Sequence, residues 1–223
     1  MRVIKKFVIG FCVPFCAAVF ISIIFSACNH TEKDECQSKT EAFVLEHEQE
    51  YENLTRIEWL ALPDSVQKLA YICMSPSAKY SFWIDKLEET KRQERWSNTE
   101  LEHIDRMIRF IEDHSEIFER DFVNDTSNAK FVAKFIRNWR EYATSEIGWT
   151  GQYQYAMIAD GGVFSDVITN LVNLPDSYFC SCSTKSDWCF KGKRCSDTHC
   201  YNEGGDGCGT LWLYNCNARC QKE

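Results

Sequence analysis

Between Cys180 and Cys220, 41 residues hold eight of the chain's thirteen cysteines, in the order C-x-C-x6-C-x5-C-x4-C-x7-C-x7-C-x3-C. The larger aliphatic residues here are Leu211 and Leu213 alone, helped by the aromatics Trp188, Phe190, Tyr201, Trp212 and Tyr214. So short a segment cannot bury enough apolar surface to offset its chain entropy and needs covalent or metal staples. Cys180, Cys182, Cys189, Cys195, Cys200, Cys208, Cys216 and Cys220 would supply four disulfides. Each is worth roughly 2–4 kcal/mol, mainly by restricting the unfolded chain. Gly204, Gly205, Gly207 and Gly209 provide tight turns. The reading is a small disulfide-knotted module over residues 178–223. Spacing does not fix the connectivity, because eight cysteines allow on the order of a hundred pairings.

Zinc is the competing use of a cysteine cluster, and structural zinc sites favour paired C-x2-C or C-x4-C knuckles. Cys195 and Cys200 have the second spacing, with His199 beside them, but no other pair forms a second knuckle. The opposite end of the chain points to export, hence to an oxidising compartment where disulfides persist. No metal and no other cofactor is expected.

That N-terminal end carries Arg2, Lys5 and Lys6 ahead of an apolar run from Phe7 to Phe25, closing in Phe25-Ser-Ala-Cys28. Residues 1–27 read as a bacterial lipoprotein signal, with diacylglycerol added to Cys28, although Phe25 stands where leucine is usual. The apolar run is also long enough to span a bilayer uncut, and a retained anchor is the alternative. Either way the remainder is exported to the cell envelope, periplasmic or surface-facing. Cleavage would discard Cys12 and Cys16, leaving Cys36 and Cys73 beside the eight of the module. A Cys36–Cys73 bridge would clip the N-terminal arm onto the helices; a buried free thiol at Cys73 is the alternative. Residues 28–39 form a polar tether. Its Lys33-Asp-Glu35 faintly resembles surface-export signals of some lipoproteins, but a solvated linker explains it more simply.

Charge is uneven. Residues 28–179 sum to −12, against +3 for the signal, +1 for Cys180–Cys220 and −8 in total. An acidic middle argues against nucleic acid as a partner.

Residues 40–148 read as an antiparallel bundle of five helices, so the fold class is mainly α with a disulfide-rich C-terminal module. Phe43, Val44, His47, Tyr51, Leu54 and Ile57 recur at three to four and make one amphipathic face. Pro63 opens a second helix through Val66, Leu69, Ala70 and Cys73. Ser75-Pro76 caps a third that buries Trp83 and Leu87. Ser97-Asn-Thr-Glu100 is a capping box for a fourth, with Leu101, Ile104, Ile108 and Ile111 inward. Ala129, Val132, Ile136, Trp139 and Ala143 follow a cap at Thr126 or Ser127, and Gly148 ends the fifth. Residues 149–177 are an irregular connector with one short helix near Ser165–Val172, and Asn173-Leu-Pro-Asp-Ser177 marks the boundary. Gly161-Gly162 resembles the double-glycine end of peptide export leaders, yet here reads as a loop.

Catalytic patterns are missing. His30, His47, His103, His114 and His199 form no H-E-x-x-H or other metal pair. The runs Glu46–Glu50 and Glu112–Glu116 imitate acid/base pairs but match charged helix faces equally well. Asp206 among glycines is a tight turn before it is a cation ligand. Nucleophile elbow, phosphate-binding loop and dinucleotide fingerprint are all absent, and paired cysteines offer no thiolate. The expectation is a protein that is not an enzyme.

The run Cys180-Ser-Cys-Ser-Thr-Lys-Ser-Asp-Trp-Cys189 and the closing run Gly207-Cys-Gly-Thr-Leu-Trp-Leu-Tyr-Asn-Cys-Asn-Ala-Arg-Cys220 resemble the bacteriocin fulvocin C-related family. The resemblance covers about a fifth of the chain, and it implies a toxin-like module. Two readings follow. In one, the chain is a lipoprotein precursor of an antimicrobial module released near Asn173–Phe179, with exposed Trp188, Trp212 and Tyr214 contacting a target membrane. In the other, it is a non-killing envelope lipoprotein whose stapled module binds a protein or glycan, or only caps the fold. In both, the partners are the membrane, through the N-terminal diacylglycerol, and an unknown envelope or target-cell component.

Overall fold

The computed structural model describes residues 42–44, 46–93, 95–170, 182–186, 188–189, 193–196 and 204–222. The lipidation site Cys28, and Cys36, Cys180 and Cys200, lie outside the described residues.

The described chain is mainly helical, and its C-terminal part is disulfide-rich with two small sheets. The helices are α1 (Glu48–Tyr51), α2 (Arg56–Leu60), α3 (Asp64–Cys73), α4 (Pro76–Gln93), α5 (Asn98–Asp113), α6 (Thr126–Tyr142), α7 (Gly151–Ile158) and α8 (Phe164–Asn170). Most starts follow from local chemistry. Ser97 accepts from the Glu100 amide while the Glu100 carboxylate accepts from the Ser97 amide, the reciprocal pair expected for α5. Asp125, rather than Thr126 or Ser127, caps α6 through the Ser127 and Asn128 amides. A wide turn, Ala143–Ile147, continues α6 until Gly148 ends it at φ 81°.

The single amphipathic helix expected from Phe43 to Ile57 is in fact broken. Thr55 forms its own capping box with Glu58 and starts α2 afresh. That phase reset buries Arg56 and Trp59 and leaves Ile57 76% exposed. α7 has no counterpart in the expected connector. Gln154, Ala156, Met157 and Ile158 are all buried, so two faces are covered and no 3.6-residue stripe marks the helix.

α5 and α6 run antiparallel, as His103 stacks on Trp139 and Phe110 stacks on Phe135 at 3.7 Å. Their contact is fixed by a reciprocal pair: His103 Nε2 lies 3.1 Å from the Trp139 carbonyl, and Trp139 Nε1 donates to the His103 carbonyl. Only 3% exposed, His103 is held neutral, its pKa lowered to about 4 by burial.

In the C-terminal part, β1 (Lys193–Ser196) pairs antiparallel with β4 (Arg219–Lys222), placing Cys195 opposite Cys220. β2 (Gly204–Cys208) pairs with β3 (Tyr214–Cys216) through an irregular register. Disulfides join Cys182 to Cys195, Cys189 to Cys220 and Cys208 to Cys216. Cys73 carries a free, half-buried thiol, and the Cys36 of the expected clip lies outside the described residues. Burial raises the Cys73 pKa and leaves the thiol a poor nucleophile.

The described residues of the C-terminal part share their core with the helices. Trp188, Leu211, Leu213 and Tyr214 belong to the same buried cluster as the helical residues, with Trp212 packed against it.

Candidate functional site

The three aromatics expected to face a membrane are turned inward. Trp188 is 7% exposed and Tyr214 4%, while Trp212 is partly buried. The Trp212 ring meets Trp59, Tyr71, Phe82 and Trp83 at centroid distances from 4.8 to 6.0 Å. Its Nε1 donates to the Ala159 carbonyl at the end of α7, at 2.9 Å. Getting it there bends the backbone, since Leu211 and Trp212 both sit at φ 51°, a region that side chains with a Cβ rarely occupy. A relay holds that turn: Trp83 Nε1 donates to the Tyr71 hydroxyl, which donates to the Leu211 carbonyl. Trp188, Trp212 and Tyr214 therefore anchor the cysteine-rich part to the helices.

Beneath this anchor lies a cationic cluster. Arg56, 3% exposed, donates to the carbonyls of Gly161 (3.0 Å) and Gly162 (3.1 Å) and pairs with Asp85 and Glu89. Lys86, fully buried, also donates to Gly162, and burial followed by the neighbouring Arg56 charge lowers its pKa to about 7. Lys68 Nζ lies 3.3 Å from Cys208 Sγ, its pKa lowered to about 8 by burial. Gly161-Gly162 is thus an internal corner. A Cβ on Gly161 would lie 2.6 Å from the Phe82 ring and 2.9 Å from that of Trp212, which is no place for a leader peptidase to cut.

On the outer side of the same seam, a groove of about 750 Å³ runs between α6, the turn after it, α7 and the cysteine-rich part. Ile136 and Tyr214 line its floor; Arg137, Arg140 and Lys185 line its edges, with Glu141 the acidic residue among them. Arg140 is fixed in place by its guanidinium, which sits 4.0 Å over the Trp188 ring. Trp188 in turn donates to Thr210, and Tyr155 abuts its edge. Burial raises the Tyr214 pKa, so its phenol is neutral. The buried aromatics thus shape this groove from below.

The other candidates do not converge. His47 bonds the Phe43 carbonyl, His114 faces Glu116 and His103 is buried in the α5–α6 pair; His30 and His199 lie outside the described residues. Glu46, Glu48, Glu50, Glu112 and Glu116 are exposed, as charged helix faces are. The sulfurs of Cys182, Cys189 and Cys195 lie within 4.8 Å of one another, but all three are spent in two adjacent disulfides. Asp206 falls within β2. Missed from sequence were Arg56, Lys68, Lys86 and the groove cations. Only the last left a signal: α6 carries Lys130, Lys134, Arg137 and Arg140 against Glu141. No family profile, curated protein or solved structure matches this chain.

Proposed function

We propose that this chain is an exported, lipid-anchored protein of the bacterial cell envelope that binds a partner at the seam between its helices and its cysteine-rich end. Its role is binding and not catalysis. The observation that carries the reading is the placement of Trp212, whose ring lies among four helical aromatics and whose indole donates to the Ala159 carbonyl. Released alone, the C-terminal part would expose Trp212, Leu211, Leu213 and Tyr214 to water, and the helices would lose the same cover. That cost weighs against a precursor that sheds an antimicrobial peptide and favours a unit that works intact. A groove built jointly by both parts gives that unit a surface neither has alone.

Intact-mass spectrometry of the producing cell's membranes and culture medium tests this. The expected species is a membrane-bound chain that begins at diacylated Cys28 and keeps its cysteine-rich part. A C-terminal fragment in the medium that begins near Tyr178 would overturn the reading in favour of the released bacteriocin.

A further inference from the structure

The charge of the seam groove runs against that of the rest of the protein. Residues 28–179 sum to −12, yet among them the groove is lined by two basic residues, Arg137 and Arg140, against one acidic, Glu141. Lys185, contributed from the cysteine-rich part, reinforces the basic pair on the facing side. Arg137 and Lys185 are exposed, and no carboxylate among the described residues pairs with them. Between these cations the floor is apolar, with Ile136 and Tyr214, and hydroxyls of Thr144, Ser145 and Ser186 stand along the rim. The volume is within the roughly 300–1,000 Å³ of ligand clefts.

We infer that this groove binds an extended acidic segment of a partner polypeptide, carboxylates on Arg137, Arg140 and Lys185 and apolar side chains on Ile136 and Tyr214. The mixture selects the ligand class. A polyanionic glycan would match the cations but leave the apolar floor uncovered. An apolar peptide would cover the floor but leave the exposed charges of Arg137 and Lys185 unanswered at its edge. Alternating carboxylates and apolar side chains satisfy both, as an extended strand presents them on opposite sides with a period of two. The stack on Trp188 holds Arg140 in advance, which lowers the ordering cost of binding. The inference rests on the binding role proposed above and names its partner chemistry.

The test is a selection from a random displayed peptide library on the exported chain purified in mild detergent. The Arg137→Glu/Lys185→Glu variant serves as counter-target. Both positions are exposed, so its circular dichroism should match the wild type. Enrichment of peptides that alternate Asp or Glu with apolar residues, bound at least about tenfold more weakly by the variant and more weakly in high salt, is the expected result. No enrichment, enrichment of basic or neutral peptides, or equal binding by the variant would overturn it. So would heparin binding that the variant loses while no acidic peptide is enriched, which would give the groove to a glycan. None of these results bears on where the chain resides or whether it is cut, so envelope retention stands or falls separately by mass spectrometry.

Discussion

Trp212→Ala removes a side chain from the cysteine-rich end, and the effect should be read in the helices. Truncating a core tryptophan costs about 3–5 kcal/mol. Trp212 is only partly buried, which places the packing loss near the lower end. Against that, it gives up edge contacts to Tyr71 and Trp83 and leaves the Ala159 carbonyl without its donor, worth about 1 kcal/mol more if water does not replace it. A loss of about 4 kcal/mol is a large share of the 5–15 kcal/mol typical of a domain. With a urea slope of about 2 kcal/mol/M, the midpoint should fall by about 2 M. Helical ellipticity and tryptophan fluorescence, followed together in urea, should fall in one shifted transition. If the helical transition keeps its wild-type midpoint while only fluorescence moves, the two parts are independent and the reasoning fails.

The remaining predictions concern pH and the internal corner. Above about pH 6.5 His103 is neutral folded and unfolded and contributes no pH dependence. As pH falls from 6.5 toward about 4 the unfolded chain takes up a proton that the folded chain refuses. Stability should therefore drop across that window by on the order of 3 kcal/mol, a part that His103→Phe removes from the urea midpoints measured at each pH; an unchanged slope in the variant would refute it. Gly161→Ala forces a methyl to 2.6 Å from Phe82 and should cost about 1–3 kcal/mol in thermal or urea melts. A neutral result would mean the corner is looser than its contacts indicate.

Helix periodicity and caps were legible because they are local. Ser97, Pro76, Gly148 and the inward rows of α3 to α6 need only neighbours along the chain. α2 and α7 were not, for opposite reasons: Thr55 resets the phase within an apolar run, and α7 is covered on too many sides to show one stripe. The cysteine count announced a stapled region, but its pairing is a three-dimensional matter, as is the fate of its aromatics. Nothing in the order of residues 207–220 says that Trp212 inserts between Tyr71 and Trp83, more than a hundred positions upstream. The assumption that small disulfide-rich segments stand alone led to exposed Trp188, Trp212 and Tyr214, where the structure buries or packs all three. The basic face of α6 was readable as charge, but its partner Lys185 across the groove was not.

Cutting the chain between its two parts tests most directly whether they are one unit. A protease site placed at Asp176, in the segment joining α8 to the cysteine-rich end, would allow cleavage after folding, followed by gel filtration in native buffer. Co-elution of the two fragments, with helical ellipticity kept, is the predicted result. A cysteine-rich fragment that elutes by itself, soluble and with its disulfides intact, would contradict it.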